Sequence, residues 1–330
     1  MPAADTDEAF RDHFEPHRRP ILLHCYRMLG SLQDAEELAQ ETLLRAWQRR
    51  DELRSGRALR AWLYQIATNA CLDQLLKAQR RRALPHLLAT PPRTAVRFGP
   101  PTDERLWVEP APDTLLEVED DAGQRPDQRA ARRESIGLAF IIALQSLSPK
   151  QRAALLLVDV LGWTPSEAAV LLETSVASVN SLLQRARQNV APRSEDAAPP
   201  EASTSEAALV RRFIQAWESG DLASFTALLA EDALLSMPPQ TEWYVGREEV
   251  GRFFAAAWAA LPGERRLLPV AANGAVALAA YRRPPTPGAA FEPSAITLLT
   301  LRDGQIAQLI RFAFPRLFPL FELPLHLTDS

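Results

Sequence analysis

The stretch Leu147 to Arg187, LSPKQRAALLLVDVLGWTPSEAAVLLETSVASVNSLLQRAR, limits what this chain can fold into more than any other. Ser148-Pro149 reads as a helix start, with serine at the cap and proline at the first helical position. That helix, Lys150 to Leu161, stops at Gly162. Thr164-Pro165 repeats the start, and Glu167 completes a capping box. The short helix from Pro165 to Leu172 buries Ala168, Ala169, Leu171 and Leu172, and its alanines let a neighbouring helix come close. After Thr174 and Ser175 a further helix runs from Val176 to Val190, with Val179, Leu182, Leu183 and Ala186 inward. Ala177, Ser178, Asn180, Ser181, Gln184 and Arg185 are left outside. This punctuation is the plan of a helix-turn-helix unit, which offers its last helix to a DNA major groove. Asn and Gln can read adenine edges there, and Ser and Arg can contact phosphates. The plain alternative is a three-helix bundle with a polar exposed helix.

Charge limits how such a unit can work. A free-standing DNA binder is usually basic, whereas this chain carries a formal net charge of -4. Its DNA affinity is therefore expected to be weak alone, confined to a local patch, or supplied together with a partner. The length of 330 residues suggests two or three domains. Cys25 and Cys71 both lie in apolar helical patterns and read as buried free thiols, which fits a reducing cytosol. The acidic, polar opening from Met1 to Phe10 does not read as a secretory leader, and no apolar run approaches a membrane span. A cytoplasmic location without membrane contact is the expectation.

Upstream of the helix-turn-helix lies another helical block. Pro20 to Leu29 is an apolar stripe broken at Gly30 and Ser31. In DAEELAQETLLRAWQR, which begins at Asp34, Leu38, Thr42 and Ala46 share one side of a helix, and early carboxylates suit its dipole. Two readings stay open: an amphipathic helix with a solvated face, or a docking helix whose acidic face meets a basic partner. Arg57 to Arg82 gives a third helix with Leu59, Trp62, Leu63, Ile66, Ala70, Leu72 and Leu76 as its apolar set. Trp62 serves either as core or as a base-stacking ring. Lys77, Arg80, Arg81 and Arg82 form a basic cluster that suits a helix C-terminus and could equally hold phosphates.

From Ala83 to about Arg125 prolines recur and acidic residues gather, so this segment reads as a linker, partly extended and partly disordered. Trp107 and Leu115 to Val118 are candidates to touch down on a domain or partner. A second linker, Ala191 to Ser205, precedes a block of different kind. There two helices lead to a strand, Asp232 to Met237, a turn at Tyr244-Val245-Gly246, a helix from Arg247 to Ala260, and further strands, the last two joined at Asp303-Gly304. The expected fold is α+β, with a curved antiparallel sheet wrapped against helices around a cone-shaped cavity. Trp243, Tyr244, Phe254, Trp258, Tyr281 and Phe312 are candidate lining or interdomain residues. The apolar, proline-broken tail from Pro315 to Leu327 is not expected to be helical. It is expected to pack across a sheet face or another domain.

Taken together, DAEELAQETLLRAW (Asp34 to Trp47), RAWLYQIATNACLDQLLKAQRR (Arg60 to Arg81) and the helix-turn-helix resemble an RNA polymerase sigma factor of the extracytoplasmic-function (ECF) type. The third block, with WYVGREEVGRFF at its centre, resembles an NTF2-like or SnoaL-like domain. The resemblance implies two all-α sigma domains followed by an α+β cone. It implies region 2 over residues 1–85, a linker over 86–128, region 4 over 129–192, a linker over 193–205 and a regulatory domain over 206–330. The implied partners are core RNA polymerase, through the clamp of its largest subunit and its flap region, and promoter DNA. Asp34, Glu37, Gln40 and Glu41 would face the clamp. Trp62, Asn69, Asp73, Lys77, Arg80 and Arg81 would meet the minus-ten element and its phosphates, and Ser175, Ser178, Asn180, Ser181 and Arg185 the minus-thirty-five DNA. Family members often carry basic residues where this chain has Asn180 and Leu182, which weakens the backbone grip expected of the last helix.

Relatives of the third block include cyclases and isomerases, whose acid-base chemistry needs paired groups within reach of a substrate. Here the block has one histidine, His326, and Asp221, Asp232 and Asp303 have plain turn or strand-end roles. No cofactor or metal is implied; a small ligand in the cone is possible. The leading expectation is a promoter-selecting initiation factor, not an enzyme, modulated within its own chain. A helix-turn-helix regulator with a ligand-sensing domain and a SnoaL-like isomerase or cyclase are the alternatives.

Overall fold

The computed structural model describes residues 3–50, 59–78, 82–88, 91–93, 107–116, 137–190 and 204–327. The chain forms two compact units, Met1–Arg82 with Thr114–Ala197, and Ala83–Asp113 with Ala198–Ser330.

In the first unit α1 (Ala3–Leu29) ends at Gly30, whose φ of 70° is left-handed and suits a residue without a Cβ. Ser31 then caps α2 (Leu32–Gln48), its Oγ accepting from the Asp34 N–H at 3.2 Å. Leu38, Thr42 and Ala46 are buried, as the periodicity predicts. On α3 (Leu59–Ala78) Leu59, Leu63, Ile66 and Ala70 face inward, but Leu76 is 67% exposed. The reason is helical drift: Leu76 lies roughly 80° off the stripe set by Ile66 at about 100° per residue. Cys25 and Cys71 are buried free thiols.

The remaining helices of this unit are α4 (Leu138–Ser146), α5 (Pro149–Leu155), α6 (Pro165–Leu171) and α7 (Val176–Val190). Both cap-and-proline signals are realised, and Ser148 forms a second capping box with Gln151. The helix expected from Lys150 to Leu161 widens into a π turn over Leu156–Val160 before Gly162, whose φ is 73°, stops it.

One buried side chain joins the two halves of this unit. Arg152, 2% exposed, donates to the carbonyl of Met28 at the end of α1. It also donates to Gln145 Oε1 at 2.5 Å and to the carbonyls of Gln145 and Leu147 at 3.2 and 3.3 Å. Gln145 Nε2 reaches the Arg27 carbonyl at 3.4 Å. The approach is close: a Cβ on Gly30 would lie 2.8 Å from Gln145 Cδ. Beside it the Tyr64 ring meets His24 and Trp163 edge-on, at centroid distances of 5.1 and 5.9 Å.

The second unit places α8 (Thr204–Ser219), α9 (Leu222–Ala227) and α10 (Arg247–Ala260) against a six-stranded sheet. Its strands are β1 (Leu229–Ser236), β2 (Trp243–Val245), β3 (Glu264–Ala272), β4 (Ala275–Arg283), β5 (Glu292–Arg302) and β6 (Gln305–Phe312), in the order β2-β1-β6-β5-β4-β3. The sheet is mixed, not antiparallel throughout: β1 and β6 run parallel. The rest of the sheet and α10 lie between them in sequence, so they need no hairpin and a crossover can bring them alongside. Tyr244 and Val245, expected in a turn, form β2. Asp303 and Gly304 both adopt positive φ, the conformation a tight hairpin turn requires.

Phe213, Trp217, Phe225, Phe253 and Phe254 fill the space between helices and sheet. On the opposite face the tail folds into two 3-10 turns, Pro315–Leu317 and Pro319–Phe321, and buries Phe314, Leu317 and Phe318 completely. Packing across a sheet face is what its apolar composition predicts.

Part of the expected linker belongs to this second unit. Trp107 and Val108 are fully buried, and Ala83 bridges Trp107. The Ala111 N–H donates to Asn273 Oδ1 at 2.8 Å while the Asn273 N–H donates to the Ala111 carbonyl at 3.1 Å. Asp113 Oδ1 accepts from the Gly274 N–H at 2.8 Å, and the buried Glu109 carboxylate meets Arg316 of the tail at 2.7 Å.

Candidate nucleic-acid interface

α7 is presented by the caps before it. The Thr164 hydroxyl accepts from the Glu167 N–H at 3.2 Å, and Glu167 Oε2 accepts from the Thr164 N–H and hydroxyl at 2.8 and 2.7 Å. The backbone bond, then the hydroxyl, hold the Glu167 carboxyl below its ordinary range. Ser175 Oγ accepts from the Ser178 N–H at 3.2 Å and so fixes the first turn of α7. Val179, Leu183 and Ala186 are buried, as the spacing predicts, with Leu182 half-buried. Ser175, Asn180 and Arg185 are exposed, and Ser178 and Ser181 are half-buried. Arg185 Nη2 donates to Ser181 Oγ at 3.3 Å. Arg187 is held bidentately by Asp159 at 2.8 and 2.6 Å, a pairing that raises its pKa. The outward face of α7 is thus largely polar but poor in free positive charge.

On α3 the residues at 62, 69, 73 and 77 recur at helical spacing along one face. Asn69, Asp73 and Lys77 are exposed and Trp62 is half-buried, so its ring is neither wholly core nor wholly presented. Arg80 and Arg81 lie outside the described residues. Tyr64, unassigned by the sequence, is buried at the junction instead.

On α2 the four candidate polymerase-facing residues divide. Glu37 and Gln40 are exposed, Glu41 pairs with Arg45 at 2.7 Å, and Asp34 is engaged by Arg82. Asp34 therefore ties α2 to the segment after α3. Leu44, 55% exposed, lies one turn beyond Gln40 on the same face, an apolar neighbour that charge patterning alone does not single out.

The six aromatic candidates of the second unit are not brought together. Tyr244, Phe254 and Trp258 pack in the helix-facing core. Tyr281 points to the tail, its ring 5.0 Å from that of Phe318 and its hydroxyl donating to the Pro324 carbonyl at 2.8 Å. Phe312, two positions from Ile310 along β6, shares the face away from Leu309 and the helices. Trp243 lies half-buried beside His86, at 6.3 Å between rings. Elsewhere a cavity of about 420 Å³ lies between α8 and the sheet, lined by Glu206, Val210, Arg211, Ile214, Pro269 and Val276.

On the helix-facing side of β6, Arg311 donates to Ser294 Oγ at 2.8 Å and Thr297 Oγ1 at 3.3 Å, with the Trp217 ring over it. Burial lowers its pKa to about 10. Asp221 caps α9 through Ser224, and Asp232 pairs with Arg302, the plain roles that the sequence allowed them. No helix among the described residues is long and apolar enough to cross a membrane.

Comparison with known proteins agrees with this layout. Residues 13–81 match the Sigma-70 region 2 family, 138–190 the Sigma-70 region 4 family, and 210–309 the SnoaL-like domain family. The chain is 41% identical over 329 residues to the ECF RNA polymerase sigma factor SigG of Mycobacterium tuberculosis H37Rv, covering 98% of this chain and 86% of that one. It is 28% identical over 316 residues to SigJ of the same strain, covering 92% of both. The crystal structure of Mycobacterium tuberculosis SigJ superposes with a TM-score of 0.58 at 25% identity, over 95% of this chain and 99% of that one.

Proposed function

The chain belongs to the ECF RNA polymerase sigma factors, carrying a SnoaL-like domain at its C-terminal end, and from that premise we propose how its parts divide the work of initiation. Region 2 docks on the clamp of the largest polymerase subunit through the exposed face of α2, chiefly Glu37, Gln40 and Glu41, with Leu44 as its apolar contact. The α3 face bearing Trp62, Asn69, Asp73 and Lys77 meets the minus-ten DNA, where ring stacking on unpaired bases gives sequence-tolerant affinity. Region 4 meets the polymerase flap and reads the minus-thirty-five DNA with α7. Because α7 has few free cations, it depends on the polymerase for its hold on the promoter.

The C-terminal domain modulates this activity in cis. The observation that carries this reading is the reciprocal hydrogen bonding of Ala111 with Asn273, which keeps the chain between the two promoter-reading modules on the C-terminal unit. A factor whose connecting segment is held cannot separate those modules freely, so activity follows release of that segment. Run-off transcription with core RNA polymerase tests it. Asn273→Ala, and separately a chain ending at Ala191, should change promoter-dependent transcription at least several-fold relative to the full chain. Equal transcription from all three would reject modulation in cis, and no dependence on the protein at all would reject the initiation role.

A further inference from the structure

The outward face of α7 is chemically one-sided. Val176, Asn180 and Gln184 follow at four-residue spacing and are all exposed, Val176 by 41%. The run from Val176 through Gln184 contains no lysine or arginine. The cations of this helix come later, at Arg185 and Arg187, and Asp159 binds the second bidentately. Guanine is read most often by a bidentate Arg or Lys on O6 and N7, a group this portion of the helix lacks. It offers instead a carboxamide, which fits adenine N6 and N7, and an aliphatic surface of the kind that contacts the thymine methyl.

The spacing suits a single short step of DNA. Val176 and Asn180 are one helical turn apart, about 6 Å along the axis, which is under two base-pair steps of roughly 3.4 Å. Neither side chain is needed to hold the helix in place. The first turn is already fixed by Ser175, and the buried face is made by Val179, Leu183 and Ala186.

We propose that Val176 and Asn180 form an A·T-selective reading pair, Asn180 on an adenine edge and Val176 on the C5-methyl of a thymine in the same or the adjoining base pair. Ser178, Ser181 and Arg185 then serve the phosphates on either side. The inference rests on the reading that α7 enters the major groove upstream of the start site.

The test uses the full chain with core RNA polymerase in run-off transcription from a promoter pool randomised through the minus-thirty-five element. Productive sequences are identified, then rebuilt with each thymine replaced singly by deoxyuridine, which removes only the methyl. The expected result is enrichment of A·T at adjoining positions and about a fourfold loss on deoxyuridine at one of them, the worth of one methyl withdrawn from water. Val176→Ser should abolish the thymine-deoxyuridine difference while leaving the melting temperature unchanged. Asn180→Ala should lose about tenfold on the selected site, although alanine favours the helix. Transcription with G·C at those positions, or a methyl preference that survives Val176→Ser, overturns the pair alone. Absence of transcription from every member of the pool overturns the promoter-reading assignment and the pair with it.

Discussion

The two compact units, each taken by itself, differ in what closes its interior. In the second, the space between helices and sheet is closed by a continuous set of rings, with Trp217, Phe225, Phe254 and Trp258 in mutual contact at 4.9 to 6.0 Å between centroids. In the first, the two halves meet in part through polar bonds: the Arg152 guanidinium donates to carbonyls and an amide and Gln145 Nε2 to the Arg27 carbonyl, beside the edge-on rings of Tyr64 and Trp163. An aromatic core is lost only by unfolding, because its energy comes from removing rings from water. A polar junction exchanges its bonds for bonds to water, so its net worth is smaller and it can open while each half stays folded. The polar part of the seam in the first unit is therefore expected to yield before the aromatic core of the second.

The widest expected effect on that contrast is in the aromatic core. Phe225→Ala should destabilise the second unit by about 4 kcal/mol, in the range of large-to-small changes at a fully buried ring, measured as the urea midpoint followed by tryptophan fluorescence. A cost under about 1 kcal/mol would show that the rings are loosely packed and would erase the contrast. Arg152→Ala should cost about 2–3 kcal/mol, the penalty for leaving buried acceptors without their charged donor. It should also split unfolding of the first unit into two steps; a single shifted step would mean that the halves do not separate at this seam.

Acid should act on the first unit. His24 is buried against Thr68, its Nε2 2.9 Å from the Thr68 hydroxyl, and burial, then Arg27, lower its pKa to about 3. The folded form therefore keeps a neutral ring while the unfolded chain protonates near pH 6.5. Stability is complete above that pH and falls by about 1.4 kcal/mol per unit as the pH drops from 6.5 towards 3. His24→Gln should flatten the slope in a pH series of melts, and an unchanged slope would assign the acid lability to other groups. The smallest effect is expected at the presenting cap. Thr164→Ala should cost about 1 kcal/mol and weaken transcription only through the placement of α7.

Much of this was legible because it is local. Ser31, Ser148, Thr164, Gly162 and the Asp303-Gly304 turn act within a few residues of themselves, and each sits where its chemistry predicts. The buried face of α7 follows from one helical period. The parallel pairing of β1 with β6 was not legible, since strand direction depends on a partner distant in sequence. Nor was the role of Arg152. An arginine on a helix surface and an arginine buried across a seam look alike until the other half of the seam is present. The lone Gln145 in LAFIIALQSL was the available sign, because a buried amide demands partners. The aromatic candidates failed as a set for a related reason. Tyr281 and Phe312 are as apolar as Phe254, but alternation along the strands sends them to the tail-facing side of the sheet.

The pairing of Ala111 with Asn273 spans 162 residues of sequence. During synthesis, at 5–20 residues per second, the first partner waits roughly 10–30 s for the second to emerge. Both promoter-reading modules are complete before residue 204, so they can fold during that interval while the segment joining them is still unheld. Under the modulation in cis proposed above, every newly made molecule would thus pass through a period in which that restraint cannot yet form. On that proposal, the rate of translation past residue 190 would set how long each new copy of the chain stays unrestrained.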